Sequence, residues 1–185
     1  MVRREKLLDS KHVYQGRRIN LRIDGIELPS GRKTTREIVE HSNCVAIVVV
    51  DAAENVILVR QHRSAAGQDL LEIPAGKIDP GESPLVCAQR ELREETGYLA
   101  GKVEALGGFY ASPGYSTEYL YLYLATELEP VPEAPDADEI MDVVRVPLAG
   151  IPEMIASGEI RDAKTLVGLL RLITQHRPHL AFPSS

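Results

Sequence analysis

The segment Arg90-Glu91-Leu92-Arg93-Glu94-Glu95-Thr96-Gly97 crowds three carboxylates into a few residues. On a helical period of about 3.6 residues, Glu91 and Glu95 fall one above the other, with Glu94 beside them. Like charges at that spacing repel and weaken a helix on its own. Two readings are open from the helix alone. One is a solvated acidic face, laced with ordinary pairs to Arg90 and Arg93. The other is a site for a hard dication such as Mg²⁺, which takes oxygen ligands from a few carboxylates and keeps waters for substrate phosphates.

Whatever the carboxylates do, a helix over 83–96 must hold them. Ser83 suits the N-cap and Pro84 the first helical position, where its missing N–H costs nothing. Gly97 supplies the C-terminal stop. Leu85, Ala88 and Leu92 form an apolar stripe beside the acidic face and would anchor it on a core. Before the helix stands Gly76-Lys77-Ile78-Asp79-Pro80-Gly81-Glu82, a loop whose glycines permit close backbone approach.

The surroundings read as strands. Residues up to about 40 alternate apolar and polar, with turn signals at Asp24-Gly25 and Pro29-Ser30-Gly31, and predict an antiparallel meander. Strands are predicted at 45–50, 56–60, 69–73, 103–110, 119–125 and 141–146, with a hairpin turn at 51–55. The Pro-, Glu- and Asp-rich stretch 129–138 predicts an exposed loop, and helical patterns close the chain at 148–157 and 162–175. Hairpins interleaved with helices imply an α+β chain, a mixed sheet packed between helices as an αβα sandwich. An N-terminal β subdomain over 1–40 and a second domain over 41–185 are the expected divisions.

At 185 residues, 44% hydrophobic and 26% charged, the chain can bury a sizeable core. Its net charge of −6 predicts no general attraction to nucleic acid or anionic membrane. Any polyphosphate must then be met by cations or local arginines. Cys44 and Cys87 sit in or beside apolar runs and read as buried free thiols of a reducing cytoplasm. The charged start and the lack of a long apolar run predict neither a secretory nor a membrane segment. The five histidines lack the spacing of a zinc site.

Residues 76–98 resemble the Nudix box, a glycine, five residues, a glutamate, seven residues, then Arg-Glu-aliphatic-X-Glu-Glu-X-Gly-aliphatic. Gly76, Glu82, Arg90, Glu91, Glu94, Glu95 and Gly97 fill its fixed positions, and Leu92 the first aliphatic one. At roughly 6% per residue type, seven such matches arise by chance on the order of 10⁻⁹ per starting point. Tyr98 departs from the pattern at the last aliphatic position, where its apolar body still serves packing. Val59-Arg60-Gln61-His62-Arg63, Leu71-Glu72-Ile73-Pro74-Ala75-Gly76, the meander with Thr35-Arg36-Glu37, and Ser112-Pro113-Gly114 after the box are similar to the ADP-ribose pyrophosphatase subfamily. The likeness runs from about 12 to 170.

That resemblance implies a Nudix fold with the N-terminal β subdomain, and Mg²⁺-dependent hydrolysis of ADP-ribose to AMP and ribose 5-phosphate. It implies two or three ions, with Mn²⁺ as a substitute. Their ligands would be Glu91, Glu94, Glu95 and the Ala75 carbonyl; Glu91 and Glu95 would thereby serve catalysis, while Gly76, Glu82 and Arg90 orient the loop. Arg63 would contact a phosphate, Arg36 the nucleotide and Pro113 the terminal ribose, with Glu118 supporting that loop or the metals. Glu139 would be the general base, with Glu133 and Asp138 as rivals, and Tyr14 is a candidate to stack on adenine. The subfamily also implies a homodimer with exchanged N-terminal strands. Two alternatives stay open: a related hydrolase for GDP-mannose, another nucleotide sugar or a dinucleotide, and a binding module that senses ADP-ribose without cutting it. Retention of the box glutamates speaks against the second.

Overall fold

The computed structural model describes residues 4–131 and 141–180, and the chain divides into two compact units. One runs through Asn43 and takes in Tyr110–Tyr119; the other holds Cys44–Phe109 and the residues from Leu120 onward.

In the first unit three antiparallel strands, β1 (Lys6–Gln15), β2 (Asn20–Glu27) and β3 (Lys33–Glu40), pair in the order β1-β2-β3. The turn predicted at Asp24-Gly25 is not there. Both residues lie inside β2, opposite Ser10 and Asp9 on one side and Arg36 and Thr35 on the other. The reason is local chemistry. Asp24 is nearly buried, accepts from Ser10 Oγ at 2.6 Å, and receives the Arg22 Nε. A carboxylate with one partner across on β1 and another two residues back on β2 gains more from the strand than from a turn. The chain reverses instead near Gly16, whose N–H donates to the Ile19 carbonyl, and at Pro29-Ser30-Gly31 as expected.

The second unit is built on a sheet in which β10 (Met141–Pro147), β5 (Asn55–Arg63), β4 (Cys44–Val50), β9 (Tyr119–Pro130) and β8 (Tyr98–Tyr110) neighbour one another in that order. Two short strands join it, β6 (Gln68–Glu72) on β5 and β7 (Ala75–Lys77) on β4. The sheet is mixed: β4 runs parallel to β9 and antiparallel to β5 and β7. β4 is buried along its whole length, so its residues alternate between two apolar cores. Val45, Ile47 and Val49 face Cys87, Ala88 and Leu92 of helix α1 (Pro84–Thr96). Ala46, Val48 and Val50 join a core with Ile151 of α2 (Ile151–Ala156) and Leu169, Leu172 and Ile173 of α3 (Ala163–His176). Helices therefore cover both faces of the sheet, the αβα sandwich that the sequence predicts.

Element boundaries follow recognisable chemistry. Ser83 caps α1 by accepting from the Val86 N–H, and Gly97 closes it in the left-handed conformation. Asp51 Oδ1 accepts from the N–H groups of Ala53 and Asn55, which makes the predicted 51–55 turn. Asp162 caps α3. Cys44 and Cys87 are both buried and neither forms a disulfide, as expected. Among the described residues, no helix is long and apolar enough to cross a membrane.

Candidate active site

The carboxylates of α1 are not a solvated face. Glu91 and Glu95 are buried, 9% and 5% exposed, on the side of the helix that also buries Cys87, Ala88 and Leu92. They lean on β7. The Ala75 N–H donates to Glu95 Oε2 at 3.1 Å. Glu91 lies so close to Gly76 that a methyl group there would come within 1.9–2.2 Å of its carboxylate atoms. Only glycine leaves room for that approach. β7 itself is fixed by its pairing with the fully buried β4, Gly76 opposite Val45.

One guanidinium organises the rest. Arg90 grips Glu82 with two bonds of 3.0 Å, from Nε and Nη2. Its Nη1 donates to Glu91 at 2.7 Å and to Glu94 at 2.9 Å, and Nη2 reaches the Lys77 carbonyl. Glu82 also accepts from the Asp79 N–H, so the loop is tied to itself and to the helix. Arg90 holds the Glu82 carboxyl down at about 2. The same carboxylates push the Arg90 guanidinium upward, so it stays charged. Burial pushes the Cys87 thiol up to about 12, which makes it a packing group and not a nucleophile.

The cluster therefore sets three glutamates, Glu82, Glu91 and Glu94, against Arg90, with Arg93 3.9 Å from Glu94. Its donors are all oxygen, and the two of Glu91 sit in a cradle that a single Cβ would fill. An oxygen-only set of this kind fits a hard divalent ion and suits zinc or copper poorly.

A second network adjoins β7 through the chain. Glu72, at the end of β6 and 1% exposed, accepts from Arg63 Nε at 2.8 Å and from Arg63 Nη2 at 2.6 Å. Lys164 Nζ donates to the same carboxylate and to Asp162 at 3.0 Å. Thr165 donates to Asp162 at 2.6 Å and accepts the Ile73 N–H at 2.9 Å. Burial works to raise the Glu72 carboxyl, but Arg63 and Lys164 outweigh it and hold it low. Arg63 is raised by its bonds to Glu72 and also feels the charge of Glu95. Arg63 stands out in the sequence as a phosphate contact, whereas Glu72 and Lys164 do not. The available signal was an acid inside the otherwise apolar stretch Leu71-Glu72-Ile73.

Other predicted site residues belong to the first unit. Arg36, on β3, pairs with Glu5 at 2.5 Å. Pro113 lies in a turn closed by the Tyr115 N–H on the Ser112 carbonyl. Glu118 stands 3.7 Å from the His41 ring, and Tyr14 is exposed on β1. Glu133, Asp138 and Glu139 lie outside the described residues.

Residues 40–167 match the family described as the NUDIX domain. The chain belongs to the NUDIX family. Among relatives of this NUDIX hydrolase, an ADP-ribose pyrophosphatase of Bacillus subtilis is 39% identical, over 87% of this chain and 88% of its own. A methanol dehydrogenase activator of Bacillus methanolicus is 36% identical over 92% and 94%. A solved ADP compounds hydrolase superposes with a TM-score of 0.84 at 25% identity, covering 96% of this chain and 98% of its own. NUDIX hydrolases generally depend on divalent metal, in keeping with the donor set described above.

Proposed function

We propose that this NUDIX hydrolase cleaves the diphosphate of ADP-ribose to AMP and ribose 5-phosphate, with Mg²⁺ as its ion. The observation that carries this is the seating of Glu91 on Gly76 and of Glu95 on the Ala75 N–H. These contacts aim two buried carboxylates at the same short strand. Glu91, Glu94 and Glu95, with the Ala75 carbonyl, would hold two or three ions; Mn²⁺ would serve in place of Mg²⁺. Bound there, the ions would neutralise the diphosphate and acidify a water. The protein's own part is positioning. Arg90 and Glu82 hold the acidic helix and its loop in register. Arg63 would bind a phosphate, Arg36 the nucleotide, and Pro113 and Glu118 would shape the ribose end. Glu139 would take the proton of the attacking water. The names of the Bacillus subtilis relative and of the solved structure support an ADP-linked substrate.

A panel of ADP-ribose, GDP-mannose and a dinucleotide, ranked by kcat/KM with and without Mg²⁺, tests the reading. ADP-ribose is expected to lead, and a chelator to stop turnover. Glu95→Gln is expected to abolish turnover while circular dichroism stays that of the wild type. An active Glu95→Gln enzyme would remove the metal argument.

Exposed apolar residues on the N-terminal sheet, among them Leu7 at 59% and Tyr14 at 57%, support a homodimer built through these strands. Sedimentation is expected to give twice the chain mass.

A further inference from the structure

Arg63 uses only part of its guanidinium on Glu72. Nε and Nη2 take the two oxygens of that carboxylate side by side, the fork geometry that fixes a guanidinium plane. Among the described residues Nη1 has no hydrogen-bond partner, and the side chain is 39% exposed, whereas its partner is all but sealed. Glu72 is held in turn. Lys164 donates to it from α3, and Asp162 and Thr165 tie that helix end to the Ile73 N–H, directly after Glu72 in the chain. Two residues further on, the Ala75 N–H binds Glu95. A buried acid with two cations thus stands within one short run of the acidic helix's own support.

We propose that Glu72 is a positioning residue: it pins Arg63 so that the outward Nη1 edge meets a substrate phosphate beside the carboxylate helix. This rests on the diphosphate reading above and adds to it the residue that aims the phosphate-binding arginine. Lys164 supplies the second positive charge that keeps Glu72 ionised away from water. A bidentate fork matters here because a lysine offers no plane to fix.

The test is a double-mutant cycle in the full-length enzyme with Mg²⁺ and ADP-ribose. Glutamine keeps the shape of Glu72 but turns one acceptor oxygen into a donor facing two cations. Glu72→Gln is expected to raise KM about tenfold with kcat within about twofold, the pattern of a lost binding contact. Binding of Mn²⁺ alone, read by calorimetry, is expected to be unchanged. In an Arg63→Ala background the same substitution is expected to change kcat/KM by less than about twofold, because its route of action is gone. Equal losses in both backgrounds, or a loss of Mn²⁺ binding, would overturn the proposal. If Glu72→Gln does not fold, Arg63→Lys takes its place. It keeps the charge and loses the fork, and is expected to match Arg63→Ala in KM; a wild-type KM overturns the proposal. A wild type that cleaves another diphosphate in place of ADP-ribose sinks only the substrate reading, and the cycle is then run on that diphosphate. Cleavage of none overturns both.

Discussion

At Gly76 the backbone approaches the Glu91 carboxylate more closely than a side chain would allow. A Cβ there would meet the Glu91 carboxylate, which would have to leave its place against β7. Gly76→Ala is expected to cost about 100-fold in kcat/KM, as misplacement by about 1 Å does, and to weaken Mn²⁺ binding measured by calorimetry. Glu82 gives a prediction in pH. Its folded carboxyl is held at about 2 against an ordinary 4.5, so the Arg90 pair contributes stability fully above 4.5. That contribution is lost as pH falls from 4.5 toward 2. In chelator, the Tm gap between wild type and Glu82→Gln is expected to be widest at neutral pH and to close near pH 2. A gap independent of pH would show that the ion pair does not stabilise the fold.

At the scale of the element, α1 is a helix whose ends are fixed by single residues. Gly97 has a φ of 72°, a conformation that costs any side chain, and its N–H closes on the Arg93 carbonyl at 2.9 Å. Gly97→Ala and Ser83→Ala are each expected to cost about 1 kcal/mol, lowering Tm by about 2–4 °C in thermal melts. Both caps were legible because they act within a turn of their own position. The limits of β8 were less so. It begins at Tyr98, not near 103: the neighbouring β9 runs on to Pro130, and just beyond it the Val131 N–H donates to the Gly97 carbonyl at 2.9 Å. β7 escaped sequence reading altogether. Three residues carry no period, and this strand exists because β4 offers it a partner.

At the scale of the molecule, the second unit depends on links between residues far apart in sequence. Thr165 has no exposed surface, donates to Asp162 and accepts from Ile73 across 92 positions. Thr165→Val keeps the volume and strands the Ile73 N–H, and is expected to cost about 2 kcal/mol in urea unfolding. Because Ile73 leads into β7, KM is expected to rise as well. The N-terminal sheet supplies a separate prediction: Leu7→Asp is expected to shift the sedimenting mass from two chains toward one.

The sequence by itself determined the chemistry. Seven fixed positions between Gly76 and Gly97, a capped helix and the unbroken apolar run of β4 were enough for the acidic site, the sandwich and the family. Each of those signals is local, carried by residue type at fixed spacing. Tertiary structure alone decided that Glu91 and Glu95 are buried and that Arg90 serves three carboxylates. It likewise decided that Asp24-Gly25 continues a strand, and that Glu72 joins Arg63 to Lys164. The physical reason is the same throughout: a charged group's role depends on which partners surround it once water is excluded, and those partners come from elsewhere in the chain.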